Sequence, residues 1–142
     1  MKPTLLLIDD NEPLLRLLKS IFDKNYSVFT APDGVDALHL LSKGVRPELI
    51  ISDVQMEHID GYALAAHLCT SRLYRDIPVI LLTGSPKPRE STMTGNVARF
   101  IQKPFDPIYL SDEVSAVLEE RRAMGGRPLV HNLHSTLTAP KP

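Results

Sequence analysis

The sequence predicts a single α/β domain built on a parallel sheet, and three observations carry that expectation. Leu5 to Ile8, Leu49 to Ile51 and Val79 to Leu82 are short unbroken apolar runs bounded by polar or turn residues, the pattern of strands covered on both faces. Segments with helical spacing lie between them, so strand and helix alternate about five times. The 142 residues, 43% hydrophobic and 23% charged, suit one globular domain with a real core and exclude intrinsic disorder. A separate effector domain is not expected to fit.

Taken in order, the run Leu5 to Ile8 is the first strand. Leu14, Leu17, Leu18 and Ile21 form the stripe of the first helix, with Pro13 placed for its first turn, where a missing amide hydrogen costs nothing. Tyr26 to Thr30 is a weaker strand, and Val35, Leu38 and Leu41 mark the next helix. The strand Leu49 to Ile51 and a helix carrying Leu64 and Leu68 follow, then the strand Val79 to Leu82. Arg99 to Gln102 is a second weaker strand, and Leu110, Val114, Val117 and Leu118 stripe the last helix.

One repeat is defective. Gly84, Pro86, Pro88 and Gly95 sit among polar residues from Gly84 to Ala98, with scarcely any apolar stripe. The fourth helical region is therefore expected to be short or irregular, a mobile segment that orders when a partner binds. Gly125, Gly126 and Pro128 break the last helix, so the domain is placed at residues 1–122 and a flexible C-terminal tail or linker at residues 123–142.

Sixteen Lys and Arg against seventeen Asp and Glu leave a net charge of −1, which argues against gripping nucleic acid by bulk electrostatics. The single cysteine, Cys69, allows no internal disulfide and reads as a small buried apolar residue in a reducing compartment. The amino terminus has no signal-peptide pattern, and no apolar run approaches the ~20 residues of a membrane span. A cytoplasmic protein is expected.

The polar residues at the carboxyl ends of the strands carry the chemistry. The first strand runs into Asp9 and Asp10, the third into Asp53, the fourth into Thr83, and Lys103-Pro104 follows the fifth. Singly, each has a plain structural reading: Asp9 and Asp10 as helix caps, Asp53 as a turn residue, Thr83 as a strand-end hydroxyl, Lys103 as a solvated cation. Together they share the one edge of a parallel sheet where ligand sites collect. Clustered carboxylates repel, and a hard divalent cation such as Mg2+ resolves that repulsion with oxygen ligands. A phosphoryl group on one carboxylate would offer three oxygens, to be met by the metal, the ammonium and the hydroxyl.

Leu-Leu-Ile-Asp-Asp-Asn-Glu at 6 to 12, Asp-Val-Gln-Met at 53 to 56, Asp60-Gly61, Thr83-Gly84 and Lys103-Pro104-Phe105 resemble the receiver domain of two-component response regulators. The resemblance implies a flavodoxin-like (βα)5 doubly wound sheet in the order 2-1-3-4-5. It implies that Asp53 accepts a phosphoryl group from a histidine kinase, that Asp9, Asp10, Asp53 and the Gln55 backbone carbonyl hold Mg2+, and that Thr83 and Lys103 bind the phosphoryl oxygens. Thr83 and Phe100 would form the switch, the ring turning inward as the threonine moves. The Lys103-Pro104 bond is often cis in the family. Implied partners are a sensor histidine kinase or histidine phosphotransfer protein and a downstream protein target, with a homodimer allowed and neither nucleic acid nor membrane bound.

The pattern departs in places. Glu57 stands where the family usually has proline and Ile59 where methionine is common, while Phe100 lacks the hydroxyl of the commoner tyrosine. Nineteen residues separate Thr83 from Lys103, about two fewer than is common in the family. Gln55 and Ser85 occupy positions that in the family govern how water approaches the phosphoryl group. His58 reads as a solvated loop residue rather than a metal ligand. Alternatives remain: a phosphotransfer intermediate in a relay, or a receiver-like protein-binding module that is not phosphorylated. An aspartyl-phosphate hydrolase would need a second Asp where Gln55 stands, and a flavin module would need glycines or hydroxyls in place of Asn11-Glu12-Pro13.

Overall fold

Successive residues of the inner strands feed two different apolar layers, and that alternation explains why their sequence reads as unbroken hydrophobic runs. In a computed structural model describing residues 2–86 and 93–125, the elements are β1 (Thr4–Ile8), α1 (Glu12–Phe22), β2 (Ser27–Ala31), α2 (Gly34–Ser42), β3 (Leu49–Asp53), α3 (Gly61–Cys69), β4 (Val79–Thr83), β5 (Val97–Gln102) and α4 (Pro107–Ala123). The strands form one parallel sheet in the order β2-β1-β3-β4-β5, as expected of the flavodoxin-like arrangement.

Leu6, Ile8, Ile50, Val79 and Leu81 pack with Ala37, Leu41, Leu64, Ala65 and Leu68, so α2 and α3 cover one face of the sheet. Leu5, Leu7, Leu49, Ile51, Ile80 and Leu82 pack with Leu15, Leu18, Phe22, Leu110, Val114, Val117 and Leu118, which puts α1 and α4 on the other. Each full burial of such a side chain contributes roughly 1.5–3 kcal/mol, so both faces are strongly specified.

The helix stripes differ in detail from the sequence reading. In α1 the buried residues are Leu15, Leu18 and Phe22, whereas Leu17 is 48% exposed. Four leucines in five positions leave the helix rotation undetermined, and the large Phe22 ring, edge-on to Tyr26 at 5.8 Å, sets it. In α2 the buried positions are Gly34, Ala37 and Leu41, with Val35 exposed. A β-carbon on Gly34 would meet the Ile59 Cβ at 3.2 Å, so the helix start depends on a small residue. Cys69 is half-buried at the end of α3 rather than enclosed.

The stretch from Gly84 to Ala98 is only partly described. Gly84 to Pro86 form a bend, and residues 87–92, where a fourth helix was in question, lie outside the described residues. Its later part, from Met93 to Ala98, packs against the sheet and α3. Met93 is buried, and the buried Asn96 side chain donates to the Ala65 carbonyl at 2.9 Å and accepts from the Thr94 hydroxyl. The Asn96 carbonyl accepts from Val79 N at 2.8 Å, fastening the entry to β5, which starts two residues before the expected Arg99. Arg99 then ties β5 to α4 through Glu113 and Glu120 at 2.5 and 2.6 Å. Helix α4 runs one residue past 122, and residues 126–142 of the expected tail lie outside the described residues.

Candidate phosphoacceptor site

Strand β1 is flanked by β2 on one side and β3 on the other, so the chain reverses direction across the sheet there and opens a crevice at the strand ends. Asp9 and Asp10 follow β1, and Asp53 ends β3. Among the described residues, α1 to α4 also begin at this rim. Asn11, Asp33, Asp60 and Asp106 are the N-caps, accepting from the amides of Leu14, Asp36, Ala63 and Ile108. The cap of α1 is therefore Asn11, which leaves Asp9 and Asp10 free of the capping role that either might have served.

Asp9 is 1% exposed and Asp53 6%, whereas Asp10 is exposed. One carboxylate oxygen from each of the three lies within 4.8 Å of the others. Asp9 Oδ1 accepts from Asn11 N at 2.9 Å, and its other oxygen faces Lys103 Nζ at 3.3 Å. Lys103 Nζ also reaches Asp53 Oδ1 at 2.8 Å. The Lys103 amide donates to the Thr83 carbonyl at 2.6 Å, which ties the lysine to the end of β4; the Lys103-Pro104 bond is cis.

The electrostatics follow from this crowding. Burial raises the Asp53 carboxyl above its usual range, Asp9 and Asp10 raise it further, and the hydrogen bond and charge of Lys103 pull the other way without prevailing. Lys103 is raised as well: its hydrogen bond to Asp53 and the charges of Asp9 and Asp53 outweigh the cost of burying the ammonium. One ammonium, paired with Asp9 and Asp53, against a cluster of three carboxylates leaves excess negative charge on hard oxygen ligands, and that donor set fits a divalent cation such as Mg2+.

Thr83 is 2% exposed and its Oγ1 accepts from Ser85 N at 3.0 Å. Beside the carboxylates opens a cleft of about 670 Å3 lined by Asp10, Val54, Gln55, Met56, Glu57, Asp60, Tyr62, Thr83 and Ser85. The structure thus gathers Asp9, Asp10, Asp53 and Lys103 directly and brings Thr83 and Gln55 to the adjoining cleft. His58 is exposed at a left-handed φ of 70° and is absent from the metal-capable cluster found among the described residues.

Phe100 does not line the cleft. Its ring stacks on Tyr62 at 6.2 Å, and Tyr62 does line it, next to Thr83. Sequence reasoning passed over Tyr62, although an aromatic in the first turn of a helix starting at this rim was the available signal. It also passed over the physical role of Gly61: a β-carbon there would lie 2.5 Å from the Asp53 carbonyl oxygen.

The family model for the response regulator receiver domain matches residues 5–115. The chain is 35% identical over 120 residues to a probable transcriptional regulator, ycf27, of Galdieria sulphuraria, covering 82% of this chain and 46% of that protein. It is 29% identical over 118 residues to a chemotaxis protein CheY homolog of Campylobacter jejuni, covering 80% of this chain and 91% of that one. Among solved structures, the signal receiver domain of an HD domain-containing protein from Pseudomonas fluorescens Pf-5 superposes with a TM-score of 0.79 at 28% identity, covering 87% of this chain and 99% of that one. The chain spans less than half the length of the first curated relatives it matches. Receiver domains are signalling modules that bind Mg2+ at an acidic pocket and interact with histidine kinases and downstream targets. Among the described residues no helix is long and apolar enough to cross a membrane. With an acidic crevice at the switch point of a 2-1-3-4-5 sheet and a family match over most of its length, the chain belongs to the response regulator receiver domains of two-component systems.

Proposed function

We propose that Asp53 is the phosphoacceptor of a Mg2+-dependent phosphotransfer from a histidine kinase or a histidine phosphotransfer protein. The observation that carries this reading is the placement of Lys103 Nζ 2.8 Å from Asp53 and 3.3 Å from Asp9, with Asp10 completing a cluster of three carboxylates. An Asp53 carboxylate oxygen forms the new O–P bond as the N–P bond of phosphohistidine breaks, and the imidazole nitrogen retains the electron pair and takes a proton. Lys103 meets one phosphoryl oxygen and the Thr83 hydroxyl another.

Asp9, Asp10, Asp53 and the Gln55 backbone carbonyl are the residues that would hold Mg2+, which when bound neutralises the carboxylates and the phosphoryl charge. Gln55 and Ser85 line the cleft from which water reaches the phosphoryl group. The chain catalyses only its own phosphorylation and dephosphorylation, and Thr83 and Phe100 carry the state to a downstream protein in the cytoplasm. The receiver unit extends to the end of α4 at Ala123. The reading is tested by incubation with acetyl phosphate and Mg2+ followed by intact mass: one phosphoryl group is gained, and none by Asp53→Asn. Absence of any gain in the unaltered chain would favour a binding module that is not phosphorylated.

A further inference from the structure

Of the side chains lining the acceptor cleft, Glu57 is the carboxylate without an assigned task. Asp60 caps α3 through Ala63 N, and Asp10 belongs to the carboxylate cluster. Glu57 is exposed, lines the cleft beside Gln55 and Thr83, and has no ion-pair partner among the described residues. Its place is held by the loop: the Glu57 carbonyl accepts from Ile59 N at 2.8 Å, and Ile59 packs into the core against α2.

Resting on the reading of Asp53 as phosphoacceptor, we infer that Glu57 is a charge filter at the mouth of the cleft that selects among phosphodonors. Because Glu57 lines the cleft beside Asp10 and Thr83, its charge acts on a phosphodonor that enters there. The repulsion is proportional to the donor's own net charge. Acetyl phosphate carries two net negative charges near neutral pH. Phosphoramidate, whose nitrogen is protonated, carries one. Glu57 therefore disfavours acetyl phosphate relative to phosphoramidate.

The test compares phosphorylation rate constants of the full chain with acetyl phosphate and with phosphoramidate, at saturating Mg2+, for the unaltered protein, Glu57→Gln and Glu57→Asp. Removing the charge raises the acetyl phosphate rate about threefold and the phosphoramidate rate by about the square root of that factor, because the energies scale with donor charge. Glu57→Asp leaves the ratio of the two rates near its original value. The ratio change in Glu57→Gln shrinks as salt rises from about 20 mM to about 500 mM, where the screening length falls to about 4 Å. Equal factors for both donors, or a change indifferent to salt, overturn the filter while leaving Asp53 as acceptor. No Asp53-dependent mass gain from either donor overturns both readings.

Discussion

Gly61 presses on Asp53: a β-carbon at position 61 would sit 2.5 Å from the Asp53 carbonyl oxygen and 3.0 Å from the Val54 Cα. The contact is closed by Gly61 N donating to the Val54 carbonyl at 2.8 Å, so the start of α3 is docked on the backbone that carries the acceptor. Both neighbours are backbone and neither can swing aside. Gly61→Ala is expected to destabilise the fold by about 1–3 kcal/mol by overpacking and to slow phosphorylation by displacing Asp53. Urea unfolding with donor kinetics on the same variant checks both effects.

The raised Asp53 carboxyl gives the metal-free protein a defined pH response. In the window between the ordinary carboxyl pKa and the raised folded one, the native state binds more protons than the unfolded chain, so stability falls as pH rises through it. Burial is the chief cause, with Asp9 and Asp10 adding to it. Asp53→Asn should therefore raise stability at neutral pH, with the gain fading on acidification toward the ordinary carboxyl range and diminishing when Mg2+ is added. Denaturant midpoints across pH, with and without Mg2+, give the comparison; a gain independent of both pH and metal would contradict this account.

Asn96 is the polar clamp of the fold, joining α3 through the Ala65 carbonyl to β4 through Val79 N. Asn96→Ala leaves Val79 its partner, which is a main-chain carbonyl, but strips the Ala65 carbonyl of its side-chain donor and Thr94 of its acceptor. A cost of about 1–3 kcal/mol is expected, measured by urea unfolding, with phosphorylation by small donors within about twofold of the unaltered rate.

The Tyr62–Phe100 stack links the cleft to the edge strand β5. Phe100→Ala removes a half-buried ring and should cost about 2–3 kcal/mol. Phosphorylation of Asp53 should persist, while the change in Tyr62 ring resonances on phosphorylation should be reduced. Unchanged Tyr62 resonances would separate Phe100 from the site.

How much of this was legible beforehand depends on what kind of information each residue carries. The strands of the two-faced sheet and the residues at their ends were readable because Asp9, Asp53 and Thr83 stand at the ends of apolar runs and Lys103 follows the weaker strand β5, and all strands of a parallel sheet point the same way. The rotation of α1 was not, since Leu14, Leu15, Leu17 and Leu18 satisfy neighbouring stripes equally well and only packing of Phe22 chooses. Asn96 was hidden because its task is set by Ala65, thirty-one positions away. Tyr62 and Phe100 meet only through tertiary contact, so a pattern along the chain names each ring without pairing them.

The central claim is that the phosphoryl group is carried by Asp53, and trapping it chemically tests that most directly. After incubation with acetyl phosphate and Mg2+, borohydride reduction of an aspartyl phosphate leaves homoserine at the modified position, which peptide mass mapping locates. Homoserine at position 53, dependent on Mg2+, is the predicted result. Homoserine at another aspartate, or trapping that survives Asp53→Asn, would contradict it.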